Sequence, residues 1–122
     1  FLTIAVHAMP KLHSYRSLEL YHLVKNLTLA CYSLSHNLPA EEKTNLGYYL
    51  RNAAITIYVQ VAQGAFMRSK KQKKKHIRST ENALIIIESL MEILVEVGFA
   101  KEEQTNEIIK LSSACYQLLG EL

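Results

Sequence analysis

The residues best suited to do chemistry in this 122-residue chain form one basic segment between positions 68 and 78. The segment contains no carboxylate and seven of the chain's fourteen lysines and arginines, namely Arg68, Lys70, Lys71, Lys73, Lys74, Lys75 and Arg78. Such a density of positive charge repels itself, and it is stabilised when a polyanion binds and counterions are released. The segment therefore predicts contacts with nucleic-acid phosphates that depend little on base sequence. The alternative interpretation is a solvated turn that keeps the protein soluble.

The remainder of the chain has the opposite charge balance. Its seven basic and eleven acidic residues give 7 − 11 = −4, so a mildly acidic body carries one basic segment. The sequence contains no aspartate, and every side-chain carboxylate that could act in catalysis is therefore a glutamate. This narrows the enzyme classes that the chain could belong to.

Motifs typical of enzymes and metal proteins are sparse. The four glycines, at positions 47, 64, 98 and 120, are too dispersed to form a phosphate-binding loop. The sequence has no HExxH and no CxxC motif, and Cys31 and Cys115 both fall on apolar stripes typical of small core residues. We therefore expect a protein that is not an enzyme and has no metal or other cofactor. A small enzyme or metal-binding bundle is the minor alternative.

Four amphipathic segments would position these residues. Apolar side chains recur there at three- and four-residue steps, the period of a helix with one buried face. The four stripes are Leu18, Tyr21, Val24, Leu27, Cys31 and Leu34; Leu46, Leu50, Ala53, Ala54, Ile57 and Val61; Ile77, Thr80, Leu84, Ile87, Met91, Leu94 and Val95; and Ile108, Leu111, Cys115, Leu118 and Leu119. The links between them are short, which predicts an all-α, antiparallel up-down-up-down four-helix bundle over residues 17–122.

Residues 1–16 are interpreted as an N-terminal extension. Met9 is a plausible natural start, and the eight residues before it need not be native. The second helix is expected to begin at Pro39, which suits a first helical turn, and to place Glu41 and Glu42 at its positive end. The longest apolar run, residues 83–87, is too short to span a membrane, and two cysteines cannot form a disulfide scaffold, so we expect a cytoplasmic protein.

Two local features allow a second interpretation. Residues 55–61 are β-branched at alternate positions and resemble a strand, but the helical spacing from Leu50 continues through them, so helix is favoured. Tyr48, Tyr49 and Tyr58 lie close together on the same segment. They could stack on nucleic-acid bases, although tyrosines at such spacing more often contribute to a core or an interface.

The sequence resembles a superfamily of small bacterial four-helix bundles. The resemblance is carried by residues 37–43, Asn-Leu-Pro-Ala-Glu-Glu-Lys, and residues 46–54, Leu-Gly-Tyr-Tyr-Leu-Arg-Asn-Ala-Ala, and it covers residues 17–122. One branch comprises proteins encoded by intervening sequences in large-subunit ribosomal RNA genes. The other comprises the accessory variability proteins (Avd) of diversity-generating retroelements.

Two details favour the Avd branch. The intervening-sequence branch typically has Arg-Arg-Ala-Ala and then Ile-Pro-x-Asn-Ile-Ala-Glu-Gly, whereas residues 57–64 here keep the register but lack that Pro, Asn and Glu. Leu46-Gly47, the basic turn and the closing residues 118–122 are more similar to Avd proteins. The intervening-sequence branch, whose role is unknown, is the alternative.

The resemblance implies an oligomeric accessory protein. Avd-like proteins form positively charged homopentamers that bind RNA and DNA and associate with a reverse transcriptase, which copies a template RNA mutagenically. In this chain the basic segment would contact phosphates, and Arg51 would be a further contact to nucleic acid or polymerase. No membrane partner is implied.

Overall fold

The computed structural model of the protein describes residues 15–64 and 69–121. The described residues form four long helices and one single-turn helix and contain no strand. In chain order the helices are α1 (Tyr15–His36), α2 (Ala40–Lys43), α3 (Leu46–Gly64), α4 (Lys70–Glu96) and α5 (Glu102–Leu119). The predicted extension, residues 1–16, lies almost wholly outside the described residues. No helix in the described ranges is both long and apolar enough to cross a membrane.

The four long helices pack as a closed ring around one core. Helix α1 lies between α3 and α5, and α4 closes the ring on the other side. The rings of Tyr21 and Tyr58 meet edge to face at 5.6 Å, and Thr28 Oγ1 lies 3.5 Å from the Ala54 carbonyl, so α1 and α3 are antiparallel. Residues 84–88 likewise share a groove with residues 113–117, and residues 91–96 share one with residues 102–109. The predicted all-α bundle is confirmed.

The core is formed mainly by the four predicted stripes. It also includes Leu20, Leu38 and Ala83, which the stripes omit, whereas five stripe members are only half-buried, namely Leu18, Leu46, Ile77, Val95 and Leu111. The bulkiest fully buried side chains are Leu20, Leu27, Leu50, Ile57, Leu84, Ile87, Met91, Leu94 and Ile108. In the strand-like segment, Ile57 and Val61 face this core, while Ile55 and Val59 remain 40% and 43% exposed. Because burial follows the helical period rather than alternation, helix was the correct choice for residues 55–61.

The predicted second helix is broken in two, which corrects the expectation that it runs without interruption from Pro39. Helix α2 ends at Lys43, and α3 begins at Leu46. The guanidinium of Arg51 donates a 2.9 Å hydrogen bond to the Lys43 carbonyl, so it caps α2 from a residue eight positions later. A Cβ at Gly47 would lie 3.0 Å from Arg51 Nη1 and 3.3 Å from the Glu42 carbonyl oxygen. A side chain at position 47 would therefore crowd the close approach of α2 and α3, which glycine accommodates.

Helix α4 ends at Glu96, two residues before Gly98. Gly98 has φ +81°, a left-handed conformation that other residues adopt only with strain. Its N–H donates to the Val95 carbonyl at 3.0 Å, and the Phe99 N–H donates to the Leu94 carbonyl at 2.9 Å. These two bonds form a Schellman motif, which turns the chain sharply into α5.

Candidate nucleic-acid interface

The basic segment is helical almost from its beginning. Ser69 has extended backbone angles, and its side chain accepts a hydrogen bond from the Gln72 N–H at 3.4 Å. This is the geometry of a serine N-cap, so α4 starts at Lys70. Because the chain is helical from Lys70 onward, the direction of each basic side chain follows from its position relative to the buried stripe of α4.

Five basic residues share one exposed face. At about 100° per residue they fall within an arc of about 140° on the side of α4 opposite its buried stripe, and they span about 12 Å along the axis. This basic face consists of Lys70, Lys71, Lys74, Lys75 and Arg78, all of which are exposed. Lys73 departs from it, because its position falls on the side of the buried stripe and its side chain is half-buried.

The charge of α4 opposes the helix macrodipole at both ends. Its first turn has no acidic residue and its last turn no basic one, although the N-terminus of a helix favours negative charge and the C-terminus positive charge. The charges at i, i+3 and i, i+4 on the basic face are also alike, which destabilises a helix further. Packing must therefore hold this helix in place, and a bound polyanion would relieve its electrostatic cost.

The remaining two predicted contact residues are Arg68 and Arg51. Arg68 lies outside the described residues. Arg51 belongs to the other end of the bundle: His76 and Gln60 are hydrogen-bonded, which places the start of α4 beside the end of α3, about 14 Å along α3 from Arg51. The structure gives the Arg51 guanidinium a capping bond to α2 and does not bring it near the lysines.

We expect Arg51→Met to destabilise the fold without affecting nucleic-acid binding. The substitution removes the bond to the Lys43 carbonyl while keeping a long aliphatic side chain, and one such bond contributes about 1 kcal/mol. Denaturant titration measures the loss of stability, and RNA titration measures the affinity. A loss of affinity as large as that caused by substituting a lysine of the basic face would contradict this structural role.

A polar groove lies beside the basic face, between α3 and α4. It has a volume of about 380 Å³ and is lined by Gln60, Gln72, Lys75, His76 and Ser79. The imidazole of His76 is bonded through Nδ1 to Gln60 Oε1. Because an amide oxygen can only accept a hydrogen bond, Nδ1 is the donor in this contact. Sequence reasoning missed this groove, since nothing in the local pattern connects Gln60 with residues of α4.

Both cysteines are core residues, as predicted. Cys31 and Cys115 are fully buried, and burial raises the pKa of each thiol to about 12. At neutral pH both are protonated, and a protonated thiol is a poor nucleophile.

The three tyrosines of α3 fall into two groups. Tyr58 packs against Tyr21, while Tyr48 and Tyr49 are 53% and 56% exposed and contact each other edge to face at 5.5 Å. Tyr48 and Tyr49 lie at the start of α3, far from the basic face. They are therefore surface residues rather than core residues.

Glu19 and His22 also have the Glu-x-x-His spacing found in di-iron bundles. Sequence reasoning overlooked this pair. In such proteins the motif projects inward, but both side chains here are exposed on the outer surface of α1. Within residues 15–64 and 69–121, no three or more His, Cys, Asp or Glu side chains come together in a group that could hold a metal ion.

Fold and surface together define a small helical-bundle protein with a concentrated basic face at the start of one helix. A protein-family model described as "23S rRNA-intervening sequence protein" matches residues 16–121. The chain therefore belongs to the family of 23S rRNA-intervening sequence proteins. A search of curated proteins finds no match. The narrower assignment to the Avd branch is not part of this result and stays a prediction.

Proposed function

We propose that this protein is a non-enzymatic, RNA-binding member of its family. Its basic face binds the phosphate backbone of RNA, and this binding depends little on base sequence. The observation that supports this most directly is the clustering of five exposed cations within one arc of α4, on a helix whose dipole disfavours them. If the basic face bound no partner, the repulsion among its charges and their unfavourable interaction with the helix dipole would remain uncompensated. Bound phosphates would compensate it.

Salt dependence of RNA binding tests this proposal. If the five cations of the basic face each neutralise one phosphate, a plot of log affinity against log salt should have a slope between about −3.5 and −4.5. Fluorescence anisotropy with a labelled RNA duplex over a salt series measures this slope. Absence of binding at low salt, or a slope near zero, would refute phosphate binding by the basic face. The basic face would then serve only to keep the protein soluble.

Self-association is part of the same proposal, as a ring of five or another small oligomer. It is supported by an exposed stripe on α3 with the four- and three-residue spacing of a coiled-coil seam: Tyr48, Asn52, Ile55 and Val59. We call these four residues the α3 seam. Pairing this seam with another copy would bury its apolar side chains and multiply the basic faces available to one RNA.

We expect Ile55→Glu combined with Val59→Glu to dissociate the oligomer while helicity is retained. Both side chains are exposed within the single chain, so a charge there costs little until a partner covers them. Size-exclusion chromatography with light scattering gives the mass, and circular dichroism gives the helix content. Leu29→Glu, on the exposed surface of α1 (58% exposed), is the matched control and should keep the assembly. An unchanged mass in the double variant would exclude the α3 seam as the interface.

The more specific proposal is a role as accessory to a reverse transcriptase in the cytoplasm, where Cys31 and Cys115 stay free thiols. It is supported by the residues that resemble Avd proteins, from Leu46-Gly47 through Arg51-Asn52-Ala53. Co-purification of the protein with a reverse transcriptase of a diversity-generating retroelement tests this role. Failure to co-purify, with RNA binding intact, would favour the intervening-sequence alternative.

A further inference from the structure

We propose that the polar groove between α3 and α4 holds one unpaired nucleotide of a bound RNA, so that the protein prefers RNA with a bulged or single-stranded nucleotide. This inference rests on the proposed RNA binding and adds to it a specificity that the basic face alone lacks. It is carried by the position of the groove, the chemistry of its lining and its size.

The groove is continuous with the basic face. Lys75 belongs to both, and Ser79, Gln72 and His76 occupy the next 100° or so of the surface of α4, on the side toward α3. A strand whose phosphates lie along Lys71 and Lys74 therefore reaches the groove at Lys75. No carboxylate is among the described residues that line it.

The lining residues suit a nucleotide better than a bare phosphate. A phosphate only accepts hydrogen bonds, and Lys75 and the Ser79 hydroxyl can donate them. The two amides offer donors and acceptors side by side, which matches the edge of a nucleobase. The Gln72 side chain is exposed, and its amide has no hydrogen-bond partner within the described part of the chain. The Gln60 amide nitrogen is likewise left as a donor, because its oxygen is held by His76.

Size restricts the ligand to a single nucleotide. A volume of about 380 Å³ is at the lower end of the range for small-molecule sites and far too small for a duplex. In a paired RNA helix the major groove is too deep and narrow for side chains to read, and the bases seen from the shallow minor groove stay in the stack, whereas an unpaired base can turn out of it. A fully paired duplex would therefore contact the basic face alone.

The test compares a short, fully paired RNA duplex with the same duplex carrying a single-nucleotide bulge, at a fixed salt concentration. Wild-type protein should bind the bulged RNA about tenfold more tightly, the discrimination expected from one well-made pair of hydrogen bonds. Gln72→Ala should remove most of this preference and change affinity for the paired duplex by less than about twofold. Gln72 is exposed, so the variant should fold normally. Gln63→Ala, an exposed glutamine on α3 that does not line the groove, is the matched control and should keep the preference.

Two results would overturn the inference that the groove holds a nucleotide, while leaving phosphate binding by the basic face intact. One is equal affinity of the wild-type protein for both RNAs, with the steep salt dependence retained. The other is a bulge preference that survives in Gln72→Ala. Absence of binding to either RNA at low salt would instead refute RNA binding itself, and the groove inference with it.

Discussion

Replacing Lys70, Lys71 and Lys74 together with glutamate is expected to lower RNA affinity at 0.1 M salt by about 100-fold or more. Each lost phosphate contact removes about 0.7 to 0.9 from the log–log salt slope, so three contacts remove about 2 to 2.7. All three side chains are exposed on the basic face, and none lines the polar groove. Anisotropy titrations across a salt series measure both the affinity and the slope.

The fold should tolerate this triple substitution. Glutamates in the first turns of α4 interact favourably with the helix macrodipole, so stability should be unchanged or slightly raised. The matched control changes three exposed lysines elsewhere, Lys25, Lys43 and Lys110, to glutamate and so alters the net charge by the same amount. If both triple variants lose affinity equally, the affinity for RNA depends only on the net charge of the protein, and the basic face is not a defined interface.

Truncating Ile87 to alanine is expected to destabilise the protein by about 2–5 kcal/mol. Ile87 is fully buried at the middle of α4, and removal of its methyl groups both loses apolar burial and leaves a cavity in a close-packed core. Urea denaturation followed by circular dichroism measures the change. The neighbouring Ile86 is 49% exposed, and its truncation should cost less than about 0.5 kcal/mol. Comparable costs at both positions would mean that the buried face of α4 is wrongly assigned.

The helices and their buried faces could be predicted from sequence because burial repeats with the helical period. The stripe from Thr80 to Leu94 illustrates this, since each of its members is buried in the structure. Even Ile57 and Val61, in the segment that resembles a strand, followed the spacing set by Leu50. Hydrophobic periodicity is a local signal, so it can be read from a single sequence without knowledge of tertiary contacts.

The break between α2 and α3 depends on a contact that periodicity does not encode. Arg51 reaches back to the Lys43 carbonyl, and Gly47 allows the two helices to approach. Arg51 stands in a family motif, from which a contact to nucleic acid or polymerase stays a prediction, and its observed bond to the Lys43 carbonyl is structural. Most of the residues that carry the family resemblance in this region define the α2–α3 corner.

The candidate interface was predictable in composition but not in shape. The run of lysines is plain in the sequence, but whether they share a face depends on how much of the run is helical, and the Ser69 cap places all of it from Lys70 onward in α4. The polar groove joins Gln60 to side chains of another helix, so only the three-dimensional register of α3 and α4 could reveal it.

The charge distribution of α4, which opposes its macrodipole, would couple the proposed RNA binding to local folding. The first turns of this helix are opposed by their own charges, so their amide hydrogens should exchange with solvent by local opening well below the free energy of global unfolding. Phosphates bound there would replace the missing N-terminal acids and favour the closed helix. An RNA bound as proposed would therefore stabilise one end of the bundle, and the melting temperature of the protein should then rise with RNA concentration.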